Sequence, residues 1–133
     1  MQPEHIEPGS PEAWLRFARS DLALAATVPP KEVLPSTLCF HAQQAAEKAV
    51  KAVLIHAGVA FPRTHSIRYL LDRLPADVDI PEEVAKSAIL TKYAVQMRYP
   101  DDTEDVTENE LQEALRYGGD VLEWAERLTR HDG

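Results

Sequence analysis

The sequence of 133 residues contains a single cysteine, Cys39. One thiol cannot form an internal disulfide or a zinc site with two or more cysteine ligands. No H-x-x-x-H or H-x-x-E-H motif occurs among the five histidines, so we expect no metal or other cofactor. Cys39 precedes His41 by two positions, which places the side chains on different sides of a helix. We therefore expect a small buried or half-buried thiol and no Cys–His nucleophile.

Basic residues are also scarce. The 14 lysines and arginines face 22 acidic residues, for a formal net charge of −8. That balance excludes broad nucleic-acid binding, which requires a basic surface, although it leaves room for a small basic pocket. No apolar run approaches the ~18 residues of a membrane span, and the N-terminus lacks the basic start and apolar stretch of a signal peptide. A cytoplasmic protein is the expectation.

The ten prolines divide the chain into helical segments. Helical spacing of apolar residues and the capping signals predict helices at about 11–27, 36–57, 65–74, 81–99 and 107–128. No segment alternates as a strand does. The predicted fold is all-α: an antiparallel up-and-down bundle of four long helices plus a short helix. This domain, 10–130, follows a flexible arm, 1–9, and precedes a short tail, 131–133.

Helix packing can be predicted from small residues. The second helix carries an inward stripe rich in alanine, which allows close approach of neighbours and indicates a central position; its members are Leu38, Ala42, Ala45, Ala46, Ala49, Val53 and Ala57. In the last helix, Gly118-Gly119 implies either a tightly packed neighbour or a bend. In the first helix, Asp21 is predicted to lie mostly outside the apolar face.

Charge is distributed unevenly along the chain. Residues 41–73 contain five basic and two acidic side chains and three of the five histidines, whereas residues 101–113 contain seven acidic and no basic side chains. On a helix His41, Gln44, Lys48 and Lys51 share one face. Their imidazole, amide and ammonium groups could receive a phosphate. The alternative is a solvated edge supported by i,i+4 pairs such as Glu47 with Lys51 and Gln44 with Lys48.

Three stretches are informative in combination: HAQQAAEK from His41 to Lys48, FPRTH at 61–65 and RYP at 98–100. Together they resemble the HEPN domain family, whose name stands for higher eukaryotes and prokaryotes nucleotide-binding. The resemblance covers about residues 10–130 and implies a helical bundle that forms a homodimer. Many small prokaryotic members are paired with a separately encoded minimal nucleotidyltransferase. In such pairs the helical protein is half of a toxin–antitoxin module or the substrate-binding subunit.

Some members of that family are metal-independent ribonucleases, in which an arginine is followed four to six residues later by a histidine. Arg98 matches the arginine, but Thr103, Glu104 and Asp105 occupy the histidine positions. None of these side chains can act as an imidazole base, and the carboxylates would repel RNA.

The leading hypothesis is therefore a non-catalytic subunit for nucleotide or substrate binding and interaction. It would form a homodimer and work with a nearby-encoded nucleotidyltransferase, with no catalytic residue of its own. An endoribonuclease toxin and a ligand-free structural dimer are the alternatives. The candidate phosphate ligands are His41, Lys48 and Arg98, followed by Gln44, Arg63 and His65.

Overall fold

The computed structural model describes residues 6–99 and 105–130. In these ranges every regular element is helical, which confirms the all-α prediction. The elements are α1 (Pro11–Ala25), α2 (Pro35–His56), α3 (Ile67–Asp72), α4 (Glu82–Lys86), a 3-10 helix (Ser87–Leu90), α5 (Thr91–Gln96) and α6 (Glu108–Thr129). The start of the predicted arm, the 131–133 tail and most of the acidic turn, including Thr103 and Glu104, lie outside the described residues.

The helix boundaries follow the capping signals. Ser10 Oγ accepts a hydrogen bond from the Ala13 N–H at the start of α1. Thr107 and Glu110 form the predicted capping box of α6, and the Thr107 N–H and hydroxyl hold the pKa of Glu110 below its usual range. After α2, Gly58 takes a left-handed conformation with φ of 74°, as expected for a residue that ends a helix.

The fourth predicted helix is helical along most of its length but is divided into α4, the 3-10 helix and α5. The fully buried Ser87 donates its hydroxyl hydrogen bond to the Val84 carbonyl, three residues back, at 2.5 Å. This side-chain hydrogen bond competes for the Val84 carbonyl with the backbone N–H that an α-helix would supply. A tighter 3-10 turn replaces the α-helical turn at this point. α5 ends at Gln96, before the predicted end near Tyr99, and isolated turns follow.

The four main helical segments, α1, α2, α4–α5 and α6, alternate in direction along the chain. Arg19 of α1 pairs with Glu126, and Leu22 lies against Gly118, so α1 and α6 run antiparallel. Gly118 also meets Ala42 of α2. The segment from α4 to α5 runs antiparallel to α6. Glu83 near its start lies beside Asp120, and the charge of Lys92 further along helps to lower the pKa of Glu110.

Helix α2 is the centre of the bundle, as its alanine stripe predicts. Thirteen of its 22 residues are buried, because α1, α3, α5 and α6 all pack against it. Ala57 was expected in this stripe but lies exposed, since α2 ends at His56 and the chain turns away there.

Gly118 lies at a close contact between helices. A Cβ atom at this position would lie 3.2 Å from the Ala42 carbonyl oxygen and 3.1 Å from Leu22 Cδ1, whereas one at Gly119 would meet nothing within 4 Å. The glycine pair therefore marks close packing at its first member, and α6 continues unbroken through both. At this contact α6 lies close to both α1 and α2.

Candidate functional site

A carboxylate from α1 gathers two of the predicted ligand residues. Asp21 accepts hydrogen bonds from His41 Nδ1 at 3.0 Å and from Lys48 Nζ at 2.5 Å. Its side chain is 14% exposed, so the carboxylate is largely removed from water, while both partners are half-buried. The seven-residue spacing of His41 and Lys48 places them on one side of α2, and Asp21 reaches both across the helix interface. We name this group the Asp21 cluster.

A second carboxylate, on α2 itself, is more deeply buried. Glu47 is only 4% exposed and accepts from Lys51 Nζ at 2.8 Å, from Gln43 Nε2 at 2.9 Å and from His65 Nδ1 at 2.9 Å. The i,i+4 pair of Glu47 with Lys51 was predicted; the bond to His65 comes from the loop before α3. We name this group the Glu47 cluster.

The bonds in the Glu47 cluster fix the orientation of its amides. Gln43 is fully buried, and its Nε2 donates to Glu47 because an ionised carboxylate can only accept. Its Oε1 is then free to accept from Gln44 Nε2 at 2.8 Å. Gln44 therefore supports Gln43, not Lys48 as its spacing had suggested.

The same rule fixes the tautomer of both histidines. Because Asp21 and Glu47 accept, Nδ1 of His41 and of His65 must carry the proton. Within residues 6–99 and 105–130, no hydrogen-bond partner occupies Nε2 of His41. The free nitrogen of each ring therefore accepts when the imidazole is neutral and donates when it is charged.

Substituting Asp21 by asparagine should invert the tautomer of His41. Lys48 has only donors and takes the amide oxygen, so the amide NH₂ faces His41 Nδ1, which must then accept. ¹⁵N NMR at alkaline pH should show a protonated Nδ1 in the wild type and a protonated Nε2 in Asp21→Asn. His65, which is held by Glu47, is the internal control and should keep its tautomer. A wild-type His41 with Nε2 protonated at that pH would contradict the assignment.

Aromatic rings surround the two ammonium groups. Lys51 Nζ lies 5.4 Å from the Trp14 ring centre and 5.7 Å from that of Phe61, and these two rings meet edge to face. Lys48 Nζ lies 6.0 Å from the Phe17 ring centre. The face of an aromatic ring attracts a cation, so the rings of Trp14 and Phe61 help to hold the Lys51 ammonium in place.

The charges in the two clusters nearly cancel. Each contains one carboxylate, one ammonium and one histidine, so each is neutral while its histidine is neutral. The predicted stripe is thus a balanced polar surface, more organised than a simple basic patch.

The six predicted ligand residues divide into two sets. His41, Lys48, Gln44 and His65 lie in the two clusters on and beside α2. Arg63 and Arg98 are exposed, and no side-chain contact joins either one to the clusters within the part of the chain that the structure describes. Their role as phosphate ligands stays a prediction.

Asp21 and Glu47 organise the site, and neither was predicted as a ligand residue. Asp21 was expected to lie mostly outside the apolar face of α1, but its half-buried side chain faces α2 and contacts His41 and Lys48 there. The sequence did contain a signal for this contact. Asp21 lies three residues after the buried Ala18 and next to Leu22, among apolar residues. A lone carboxylate in such a stripe indicates a partner on the neighbouring helix.

Cys39 is fully buried, as expected. Burial raises the pKa of its thiol to about 11, and the hydrogen bond with Tyr93 offsets this only in part. A thiol with so high a pKa is a poor nucleophile at neutral pH.

Among the described residues no group of three or more histidine, cysteine or acidic side chains could hold a metal. None of the helices in those ranges is long and apolar enough to cross a membrane.

Solved structures share this arrangement of helices. The chain matches the crystal structure of TT1696 from Thermus thermophilus with a TM-score of 0.79 and 35% identity, over 90% of this chain and 98% of that one. It matches ST0689, described as an archaeal HEPN homologue, with a TM-score of 0.72 and 29% identity, over 91% of this chain and 98% of that one. The molecule is therefore an all-helical domain of the HEPN type.

Sequence comparison agrees. The family model described as HEPN domain matches residues 11–128, and the chain belongs to this family. It is also 28% identical over 126 residues to "Putative toxin MJ1304" of Methanocaldococcus jannaschii, across 83% of this chain and 82% of that protein. The resemblance stated from His41 to Lys48, at 61–65 and at 98–100 is confirmed at the level of the family.

Proposed function

We propose that the chain is a non-catalytic HEPN subunit that binds the phosphate of a nucleotide or related substrate. It works in the cytoplasm, as a homodimer, with a separately encoded minimal nucleotidyltransferase, and the two form a toxin–antitoxin pair. The observation that carries the proposal is the Asp21 cluster, in which one half-buried carboxylate holds His41 and Lys48 side by side. Family membership and the relative named as a toxin support it.

The geometry favours binding because the donors are already oriented. Asp21 uses one oxygen for His41 Nδ1 and one for Lys48, which leaves the remaining hydrogens of Lys48 for a ligand and Nε2 of His41 as a further donor when the imidazole is charged. A phosphate group bound there would meet donors that lose little further freedom.

The absence of catalysis is inferred from Arg98. It is exposed, and the sequence places Thr103, Glu104 and Asp105 where the ribonuclease members have a histidine.

An endoribonuclease toxin is the second candidate, and the Asp21–His41 pair favours it. A carboxylate that fixes Nδ1–H leaves Nε2 as a general base, an arrangement known from hydrolytic sites. The relative named "Putative toxin MJ1304" points the same way.

Co-expression with the neighbouring open reading frame distinguishes the two candidates. We expect the neighbour's product to co-purify, total RNA to stay intact, and ATP to raise the Tm of the purified protein by ligand linkage. Lys48→Met should abolish that rise, whereas the matched control Lys92→Met, an exposed lysine of α5, should retain it. RNA cleavage that disappears in His41→Gln would establish the ribonuclease instead. Lack of both co-purification and an ATP effect would overturn the proposed function.

A further inference from the structure

A hollow lies at the end of the bundle where the end of α1 meets the starts of α2 and α6, away from the Asp21 and Glu47 clusters. Its volume is about 310 Å³ and its walls are mostly apolar; they include Ala25, Val28, Val33, Leu38, Leu111 and Leu115. That volume is at the lower limit of small-molecule pockets, ~300–1,000 Å³. It is ample for one bulky side chain. We name it the end hollow.

Exposed apolar side chains lie on the segment that forms part of the wall of the end hollow. Val28, which lines the hollow, is 98% exposed. Leu24, on the last turn of α1, is 49% exposed, and Leu34, at the end of the loop to α2, is 61% exposed. Pro29, Pro30 and Pro35 restrict this segment, so these side chains are presented with little backbone freedom. Exposed apolar side chains beside a cavity are a feature of interaction surfaces.

The charge beside the end hollow is negative. Glu108 lines the cavity, and Gln112 donates to its carboxylate. The described residues 105–113 contain Asp105, Glu108, Glu110 and Glu113 and no basic side chain. The two charges of the α1–α2 loop, Lys31 and Glu32, cancel.

We propose that the end hollow docks the partner subunit, through a bulky apolar side chain of that protein flanked by lysine or arginine. This inference rests on the proposed function and adds the surface on which the pair assembles. The apolar anchor fills the cavity, and the basic flank pairs with Glu108 at the rim. A buried anchor within a charged rim is the usual anatomy of a specific interface.

A second copy of this chain fits the surface less well. In a two-fold dimer the same patch meets itself, which would bring Glu108 and Asp105 of the two copies to the same interface. Like charges placed together at an interface oppose association. A basic partner is attracted by the same carboxylates, and the net charge of −8 adds to that attraction.

The test uses the protein encoded by the neighbouring reading frame, co-expressed and then titrated in purified form. Val28→Asp should weaken binding at least tenfold without affecting folding, because Val28 is almost fully solvent-exposed. Val95→Asp makes the same change at an exposed position of α5 and is the control. Glu108→Gln should weaken binding and reduce its salt dependence, whereas Glu123→Gln, elsewhere on α6, should do neither.

Each outcome separates this inference from the proposed function. If the wild type and Val28→Asp bind the neighbour's product equally, the docking surface is wrong and the proposed function stands. If the wild type does not bind it at all, the docking inference is overturned, and the proposed function is overturned with it when ATP also fails to raise the Tm. If Val28→Asp instead converts a dimer into a monomer by light scattering, the occupant is a second copy, and the hetero-partner inference is overturned.

Discussion

Replacing Glu47 by alanine should lower the free energy of unfolding by about 3–5 kcal/mol, the usual cost of removing one partner of a buried ion pair. Glu47 is 4% and Lys51 10% exposed, so water cannot take over the hydrogen bond of the ammonium. The buried Gln43 amide and His65 Nδ1 lose the same acceptor. Urea denaturation followed by circular dichroism measures the effect.

A matched control is available on the surface. Glu126 also accepts from a cation on another residue, Arg19, but both side chains are at least a third exposed. Glu126→Ala should therefore cost less than about 1 kcal/mol.

A double variant tests whether the unpaired charge is the cause. Glu47→Met with Lys51→Met should recover at least half of the loss, because no buried charge is left without a partner. A loss below about 1 kcal/mol in Glu47→Ala would contradict the buried cluster.

Gly118 and Gly119 should respond to alanine in opposite directions. Alanine gains up to about 1 kcal/mol over glycine within a helix, and Gly119→Ala should realise this because its Cβ meets nothing within 4 Å. In Gly118→Ala the Cβ would lie 3.2 Å from the Ala42 carbonyl oxygen. Overpacking of this kind costs about 1–3 kcal/mol, so a net loss is expected.

Whether Gly118→Ala raises or lowers the stability depends on which of its neighbours can move. Leu22 can change its rotamer to clear the new methyl group, but the Ala42 carbonyl belongs to α2, which is packed on several sides. α2 would have to shift as a whole, which would open contacts elsewhere. Thermal and urea denaturation of both variants give the comparison, with Gly119→Ala as the control for helix propensity. Equal stabilisation by the two substitutions would show that the helices are not held at this distance.

Much of the fold was predictable from local signals. Proline positions, the Ser10 cap and the Thr107–Glu110 capping box define the helix starts because they act within one turn of the chain. The division of the 82–96 segment was not predictable, because it depends on Ser87 being buried. Whether a serine hydroxyl bonds to solvent or to a backbone carbonyl depends on its surroundings in the folded protein.

The candidate site was predictable only in part. Helical spacing placed His41 and Lys48 on one face and Glu47 beside Lys51, since these relations need only the helix period. It could not indicate that Asp21 reaches His41 and Lys48, because that contact joins residues 20 and 27 positions apart. For the same reason His65 had no assigned partner.

By itself, the sequence determined that this is an all-helical HEPN domain with a central alanine-rich helix, a buried thiol and no ribonuclease spacing after Arg98. These properties follow from residue type and short-range spacing. Only the tertiary structure decided that the basic stripe is neutralised by Asp21 and Glu47, and that the end of the bundle holds an apolar hollow. Both depend on residues that are far apart along the chain and meet only when the helices pack, as Asp21 of α1 meets His41 and Lys48 of α2.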